Sequence, residues 1–533
     1  MSERTPRRSV RSGAYGSQVP VHAAESDALS VRDGRLYMED VAVSDLVAEF
    51  GSPLFVYSEG QLRHNVRRIK DAFAREWTEG PVDVLPAFKA NTMLATRWIL
   101  SEEGAGADVY SSEELDGVLR AGVDPTGVSV NGGGKNFEHL RRCVAAGVRI
   151  TVEDVDEIDL IQQAAEELGL VASIRFRVKP TVPNLWRRTD FSQLSAPIDL
   201  GIQVYKSGVP PEHLVEMGRR ALAMPNIDLV GLHVHGGRQH PTTWYWEGLM
   251  RRFALLVGDL SRAWGGWQPR ELDIGGGFPS SRDPLNKETP RSEFLLTAAG
   301  YPIMVGLRGL GARSYHAVMG KVMPMLLSEP KPSYPPPIED FAAVATRTLR
   351  QGLREQQVPT HGVRLQVEPG RWLYGNAGIH LAQVKVVKRQ TLPIPYTWVL
   401  TDTTLFFLAG GALEHNRYPV VHADRVLAPT AITADVVGHS CFADLIATGA
   451  SLPTTEAGDV LAFLETGAYQ ESSASNFNAL LRPATVLVNG DGADVIRRAD
   501  TRDELWARDV IPARLAASPA GGADAQPARD RAT

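Results

Sequence analysis

Short runs rich in β-branched residues recur along the first two-thirds of the chain: VDVLPAF, GADVY, GVSV, RITVE, SIRFRV, DLVGLHV, ELDIGG and VRLQVE. Between most of them apolar residues are spaced three and four apart, as at 113–121, 137–146 and 154–168, which predicts helices. Strand and helix alternating in this way imply an α/β fold with a parallel sheet, and eight such units predict closure into a (β/α)8 TIM barrel. After Gly375 the texture changes. LAQVKVVKR, YTWVLTD, RYPVVHADR, TADVVGH, DVLAFLE and ATVLVNG follow without long helices between them, the pattern of a C-terminal antiparallel β-sandwich or β-barrel domain. A strand near 35–38 and a helix over 43–50 are expected to join that domain from the N-terminal side, so that the TIM barrel is inserted into its sequence.

The expected boundaries are a flexible tail over 1–28, a joining segment over 29–54, the barrel over 55–374, the β domain over 375–515 and a second tail over 516–533. One stretch interrupts the barrel pattern. The insertion 280–337 holds the apolar YPIMVGLRGLG and the proline-rich SEPKPSYPPP, and a connection of this length is usually functional. Its apolar content predicts an ordered lid or interface element at the mouth of the barrel.

Composition narrows the function. With 533 residues, 43% of them apolar and 22% charged, the chain can bury a large core and exceeds one ordinary domain. A net charge of −6 argues against a nucleic-acid surface, and no run is apolar enough to span a bilayer. Cys143 and Cys441 are the only cysteines, which excludes a disulfide framework and implies a reducing compartment. Arg4, Arg7, Arg8 and Arg11 precede no signal-type apolar segment, so a cytoplasmic location is expected. The expected partner is a small molecule, with no metal.

The polar motifs stand at the C-terminal ends of the barrel strands, where this fold builds active sites. Lys89 lies in AFKAN, His235 in HVHGG, Gly275, Gly276 and Gly277 in GGGF, and Glu368 and Arg371 in EPGR. Tyr469 follows in ETGAY. A lysine amine kept partly neutral by burial can attack an aldehyde. Glycines let backbone N–H groups approach an anion closely. Together they suit an aldehyde cofactor that carries a phosphate.

Taken in order, AFKAN, GADVYSSEEL, HVHGG, GGGF, EPGR, the cysteine loop VVGHSCFADL and GAY resemble the fold-type III, alanine racemase-like pyridoxal-phosphate decarboxylases, the group of diaminopimelate and ornithine decarboxylase, over roughly residues 30–510. The resemblance implies an amino-acid carboxy-lyase using pyridoxal 5'-phosphate. Lys89 would hold the cofactor covalently. Glu368 would keep the pyridine nitrogen protonated so that the ring absorbs the electron pair left by carbon dioxide. His235 would stack on the ring, while Arg371 and Tyr469 would join the glycines on the phosphate. Asp108, Glu114 and Arg177 match family positions in the barrel. Cys441 would reach across a dimer interface to return a proton, which makes the active unit a homodimer with shared sites.

Departures from the family pattern fall in the distal pocket. The acidic residue expected after the cysteine is Phe442, and an unpaired ammonium in a closed site costs several kcal/mol. Aligned on Asp402, Gly410 and Glu414 fall near the expected arginine and tyrosine, with Arg417 as a substitute. The expected serine-glutamine after the histidine motif is Arg238-Gln239, and Arg238 could bind a substrate carboxylate. These changes predict a substrate whose far end is neutral, bulky or conjugated. A racemase of the same fold and a relative that binds without turnover remain as alternatives.

Overall fold

The computed structural model describes residues 28–179, 206–237, 242–279, 335–392, 395–409 and 418–516. Most of the 280–337 insertion, both tails, Arg238, Gly410, Glu414 and Arg417 lie outside the described residues.

Eight strands form the barrel: Val82–Val84, Ala107–Val109, Val128–Val130, Arg149–Val152, Ala172–Arg177, Ile227–His233, Glu271–Asp273 and Arg364–Val367. From the second strand to the eighth each pairs in parallel with the next, and the eighth returns to the first with Leu365 opposite Val82. The first and second strands meet through a parallel bridge between Ala87 and Asp108, and the Gly106 N–H donates to the Val84 carbonyl at 2.9 Å. The ring is therefore closed. Strands such as Val128–Val130 are buried at every position, which is why they read as continuous apolar runs.

Helices cover the outside. The helix Glu59–Glu76 starts where the Ser58 hydroxyl accepts from the Gln61 N–H at 3.0 Å. Its Leu62, Val66, Ile69 and Phe73, spaced four, three and four apart, are fully buried. Each such burial stabilises by roughly 1.5–3 kcal/mol. The helix Ile338–Glu355 packs on Glu59–Glu76 and on Thr243–Ala263. The latter approach is close enough at Gly352 that a Cβ there would lie 2.6 Å from Ala254 Cβ. No helix among the described residues is long and apolar enough to cross a membrane.

The second domain is a nine-stranded, mostly antiparallel sheet. Its long strand Gly378–Gln390 pairs antiparallel with Tyr396–Thr401, Val460–Phe463 and Leu54–Ser58. Two pairings are parallel, Leu54–Ser58 with Ala484–Asn489 and Tyr396–Thr401 with Ile432–Val437. The expected strand Arg35–Met38 forms, yet it does not enter this sheet. It pairs instead with Leu29–Arg32 and Val41–Ala42 in a separate three-stranded sheet. Its Leu36 and Met38 pack on the same core as Leu54, Ile379 and Val460. The strand that does enter is Leu54–Ser58, buried at every position, and it runs straight into the first barrel helix.

Candidate active site

After the first barrel strand the chain turns through Pro86 into the short helical turn Phe88–Ala90. Phe88 and Ala90 are buried, while 53% of the Lys89 side chain is accessible because it faces a cavity of about 340 Å³. Seven of the eight barrel strands, or the loops that follow them, contribute to its lining, together with Tyr469 from the second domain. Lys89 Nζ lies 3.5 Å from Asp108 Oδ2. Asp108 raises the ammonium above its usual range, burial opposes this, and Tyr469, Glu368 and Glu114 add to the rise. The expectation that burial keeps this amine partly neutral is thus overturned, because the facing acids outweigh desolvation. Asp108 itself is pushed upward, first by burial and then by Glu368, against the pull of Lys89.

Behind Lys89 lies a buried polar layer. Asn131 Nδ2 donates to Asp108 Oδ1 at 2.6 Å and to Glu368 Oε1 at 2.7 Å, joining the two acids. His233 Nε2 is 3.2 Å from Glu368 Oε2, and Arg175 Nη2 is 3.2 Å from Glu368 Oε1. Burial lowers His233 to about 3, so the ring is neutral and the contact is a hydrogen bond. A carboxylate only accepts, which puts the proton on Nε2. Asp273 is raised to about 6 by burial, although the Arg175 guanidinium 2.6 Å away pulls the other way.

The glycine loop follows the seventh strand. A Cβ on Gly276 would lie 2.1 Å from the Glu368 carbonyl oxygen, and Gly275 has φ +73° with the Val234 carbonyl oxygen 2.6 Å from where its Cβ would lie. The Gly275 N–H donates to Asp273 Oδ1 at 2.7 Å and the Gly276 N–H to His235 Nδ1 at 3.2 Å. Two of the three N–H groups expected to face an anion are therefore engaged within the protein, and Gly277 is the member that lines the cavity. His235 lines it too, as do Glu368, Arg371 and Tyr469. The Arg371 guanidinium lies over the Tyr469 ring, 4.9 Å from its centre.

Arg177 donates to Glu153 Oε1 at 3.0 Å at the cavity wall. Burial favours the neutral form of Glu153, but Arg177 and the Gly132 N–H hold its carboxyl below the usual range. Glu114 caps its own helix entrance, accepting from the Tyr110 N–H at 2.6 Å, and burial raises it. Cys441 and Phe442 are not brought to this cavity. Cys441 is exposed, its N–H bonded to Asn478 Oδ1 at 2.8 Å, and Phe442 is 57% exposed. Asn131, Arg175, His233 and Asp273 were missed by the sequence reading. The available signal was alternation: Arg175 and His233 each sit two residues before a residue already singled out, Arg177 and His235, and so share its inward face.

Residues 59–296 match the family model described as the pyridoxal-binding domain of pyridoxal-dependent decarboxylases. The chain is 30% identical to a diaminopimelate decarboxylase of Pseudomonas fluorescens, over 91% of this chain and 99% of that one. It is 29% identical to the diaminopimelate decarboxylase of Haemophilus influenzae, over 89% and 97%. A crystal structure of diaminopimelate decarboxylase from Methanocaldococcus jannaschii in co-complex with L-lysine superposes with a TM-score of 0.76 at 26% identity, covering 92% of this chain and 99% of that one.

The residues present suit the cofactor these relatives imply. One cavity of adequate size holds an amine at Lys89, a buried carboxylate at Glu368 and a guanidinium at Arg371, beside a loop so close that only glycine fits at Gly276. The chain belongs to the pyridoxal-dependent decarboxylases of the diaminopimelate and ornithine decarboxylase family, carboxy-lyases that use pyridoxal 5'-phosphate.

Proposed function

We propose that this decarboxylase acts on an amino acid whose far end is neutral, bulky or conjugated, and that it does so as a homodimer with shared sites. The observation that carries the substrate reading is the surface around Cys441. Phe442 meets Phe406 edge-on with ring centres 5.9 Å apart, and Phe406 stacks on Phe477 at 4.0 Å. An aromatic surface stands where an acid for a distal ammonium is expected. Cys441 does not line the cavity of its own chain, which supports its acting on the site of a second copy.

When bound, pyridoxal 5'-phosphate supplies an electron sink for the bond that releases carbon dioxide. Lys89 would hold it, with Asp108 orienting the Lys89 amine. Glu368 would face the ring nitrogen, and His235 would flank the ring. Arg371, Tyr469 and Gly277 would take the phosphate, while Arg177 lines the wall. Cys441 Sγ would supply a proton to the α carbon.

Carbon dioxide release from a panel of amino acids tests the substrate reading. Turnover is expected with members bearing neutral or aromatic far ends. Efficient turnover of meso-diaminopimelate, lysine, ornithine or arginine would overturn it.

A further inference from the structure

Arg175 has no role in the mechanism above, yet it is among the largest fully buried side chains in the protein. It sits on the fifth barrel strand, and its guanidinium is gripped from four others. Nε donates to Thr151 Oγ1 at 2.8 Å, Nη1 and Nη2 donate to Gln366 Oε1 and Ser129 Oγ, and Asp273 Oδ2 lies 2.6 Å from Nη1. The remaining contact is the one to Glu368 Oε1, 3.2 Å from Nη2. A planar fork held at all three nitrogens is a rigid reference point, and Glu368 is fastened to it. Asn131 shares Glu368 Oε1 and His233 holds Oε2, so the carboxylate cannot turn without breaking several bonds at once.

The charges around Glu368 explain why a cation is needed there. Arg175 faces it from the fifth strand, His233 and, within 4.8 Å, His235 from the sixth, Asp273 from the seventh, Asp108 from the second across Asn131, and Lys89 from beyond Asp108. His233 is neutral, and Lys89 lies nearest to Asp108. Among these groups Arg175 is the cation in direct contact. A buried carboxylate without such a partner sheds its charge by taking up a proton.

We propose that Arg175 is a positioning residue for Glu368, holding that carboxylate charged and in one orientation toward the ring nitrogen of the cofactor. The inference rests on the reading of Glu368 as the ring's partner. A purely structural Arg175 would stabilise the barrel and leave the pH dependence of cofactor binding untouched.

The test is titration of the cofactor-free full-length enzyme with pyridoxal 5'-phosphate, read by the absorbance of the bound cofactor between about pH 6 and pH 9. Arg175→Met is expected to bind roughly tenfold more weakly at neutral pH, about 1.4 kcal/mol, and to regain affinity as pH rises. Arg175→Lys keeps a charge but cannot span Asp273 and Glu368 together. It is expected to show intermediate affinity with a flatter pH profile, and it carries the test if Arg175→Met does not fold. Wild-type affinity at every pH in either folded variant overturns the proposal. Glu368→Gln separates the two readings. If it leaves binding unchanged, the assignment of Glu368 to the ring fails; if it weakens binding while the Arg175 variants do not, only the present inference fails.

Discussion

Tyr469 donates its backbone N–H to the carbonyl of Ala90 at 2.8 Å, immediately after Lys89 in the chain. Ser472 Oγ adds a bond to the Lys89 carbonyl, also at 2.8 Å. Arg497, on a strand of the second domain, reaches both Glu471 and the Thr92 carbonyl. The loop that brings Tyr469 is therefore strapped to the turn that brings Lys89, and two domains hold one site.

Arg497→Met removes the strap's cation and leaves Glu471, which is mostly buried, without this salt-bridge partner. Arg497 is itself partly exposed, so solvent screens some of the loss. A cost of roughly 1–3 kcal/mol is expected, together with weaker cofactor binding. Thermal melts with and without cofactor check it. A variant that melts and binds like the parent would remove the strap from the account.

Two glycines of the site should respond differently to alanine. In Gly370→Ala the new methyl meets the Tyr469 hydroxyl, the far end of a side chain that can swing away. Cofactor affinity should fall with little change in melting temperature. In Gly276→Ala the methyl would lie 2.1 Å from the Glu368 carbonyl, which is backbone, so strand ends must separate. Overpacking of this kind costs about 1–3 kcal/mol. Equal stability losses in the two variants would contradict the geometry.

Lys89→Ala and Cys441→Ala probe the shared site. Each alone should be impaired, the cysteine variant by about 10²–10⁴-fold if its thiol is the proton donor. Mixed and re-associated, the two should recover about a quarter of wild-type activity, because half the dimers are mixed and each carries one intact site. No recovery, with mixed dimers shown to form, would place Cys441 at its own chain's site or outside the reaction.

His380, in the second domain, is fully buried with Nε2 2.7 Å from Thr403 Oγ1, and burial lowers it from 6.5 to about 3. Between those values the unfolded chain binds the proton and the folded one does not. Stability is therefore complete above pH 6.5 and is lost as pH falls toward 3, by up to about 1.4 kcal/mol per pH unit. His380→Gln has no such proton to take up, so its melting temperature should drop less between neutral and mildly acidic pH than that of the parent. Parallel losses would show that other groups set the acid limb.

Much of the molecule was legible in residue order. Alternation and strand-end position are local properties, so the eight strands and the strand-end places of Lys89, His235 and Glu368 could be read directly, while Arg371 and Tyr469 were assigned to the site through the family resemblance. The strand Arg35–Met38 was legible too, but its partner was not, because edge hydrogen bonds are satisfied by whichever strand packing brings alongside. Leu54–Ser58 took the place in the large sheet.

The sequence by itself determined a barrel with an amine, an acid, an arginine and a glycine loop at its C-terminal rim. Only the tertiary structure decided the charge on Lys89, where Asp108 on the neighbouring strand outweighs burial, and the convergence of Arg175, His233 and Asn131 on Glu368. Those outcomes depend on ring closure and on register between distant strands. Electrostatic effects in a buried site are set by distances of a few ångströms, which no local pattern encodes.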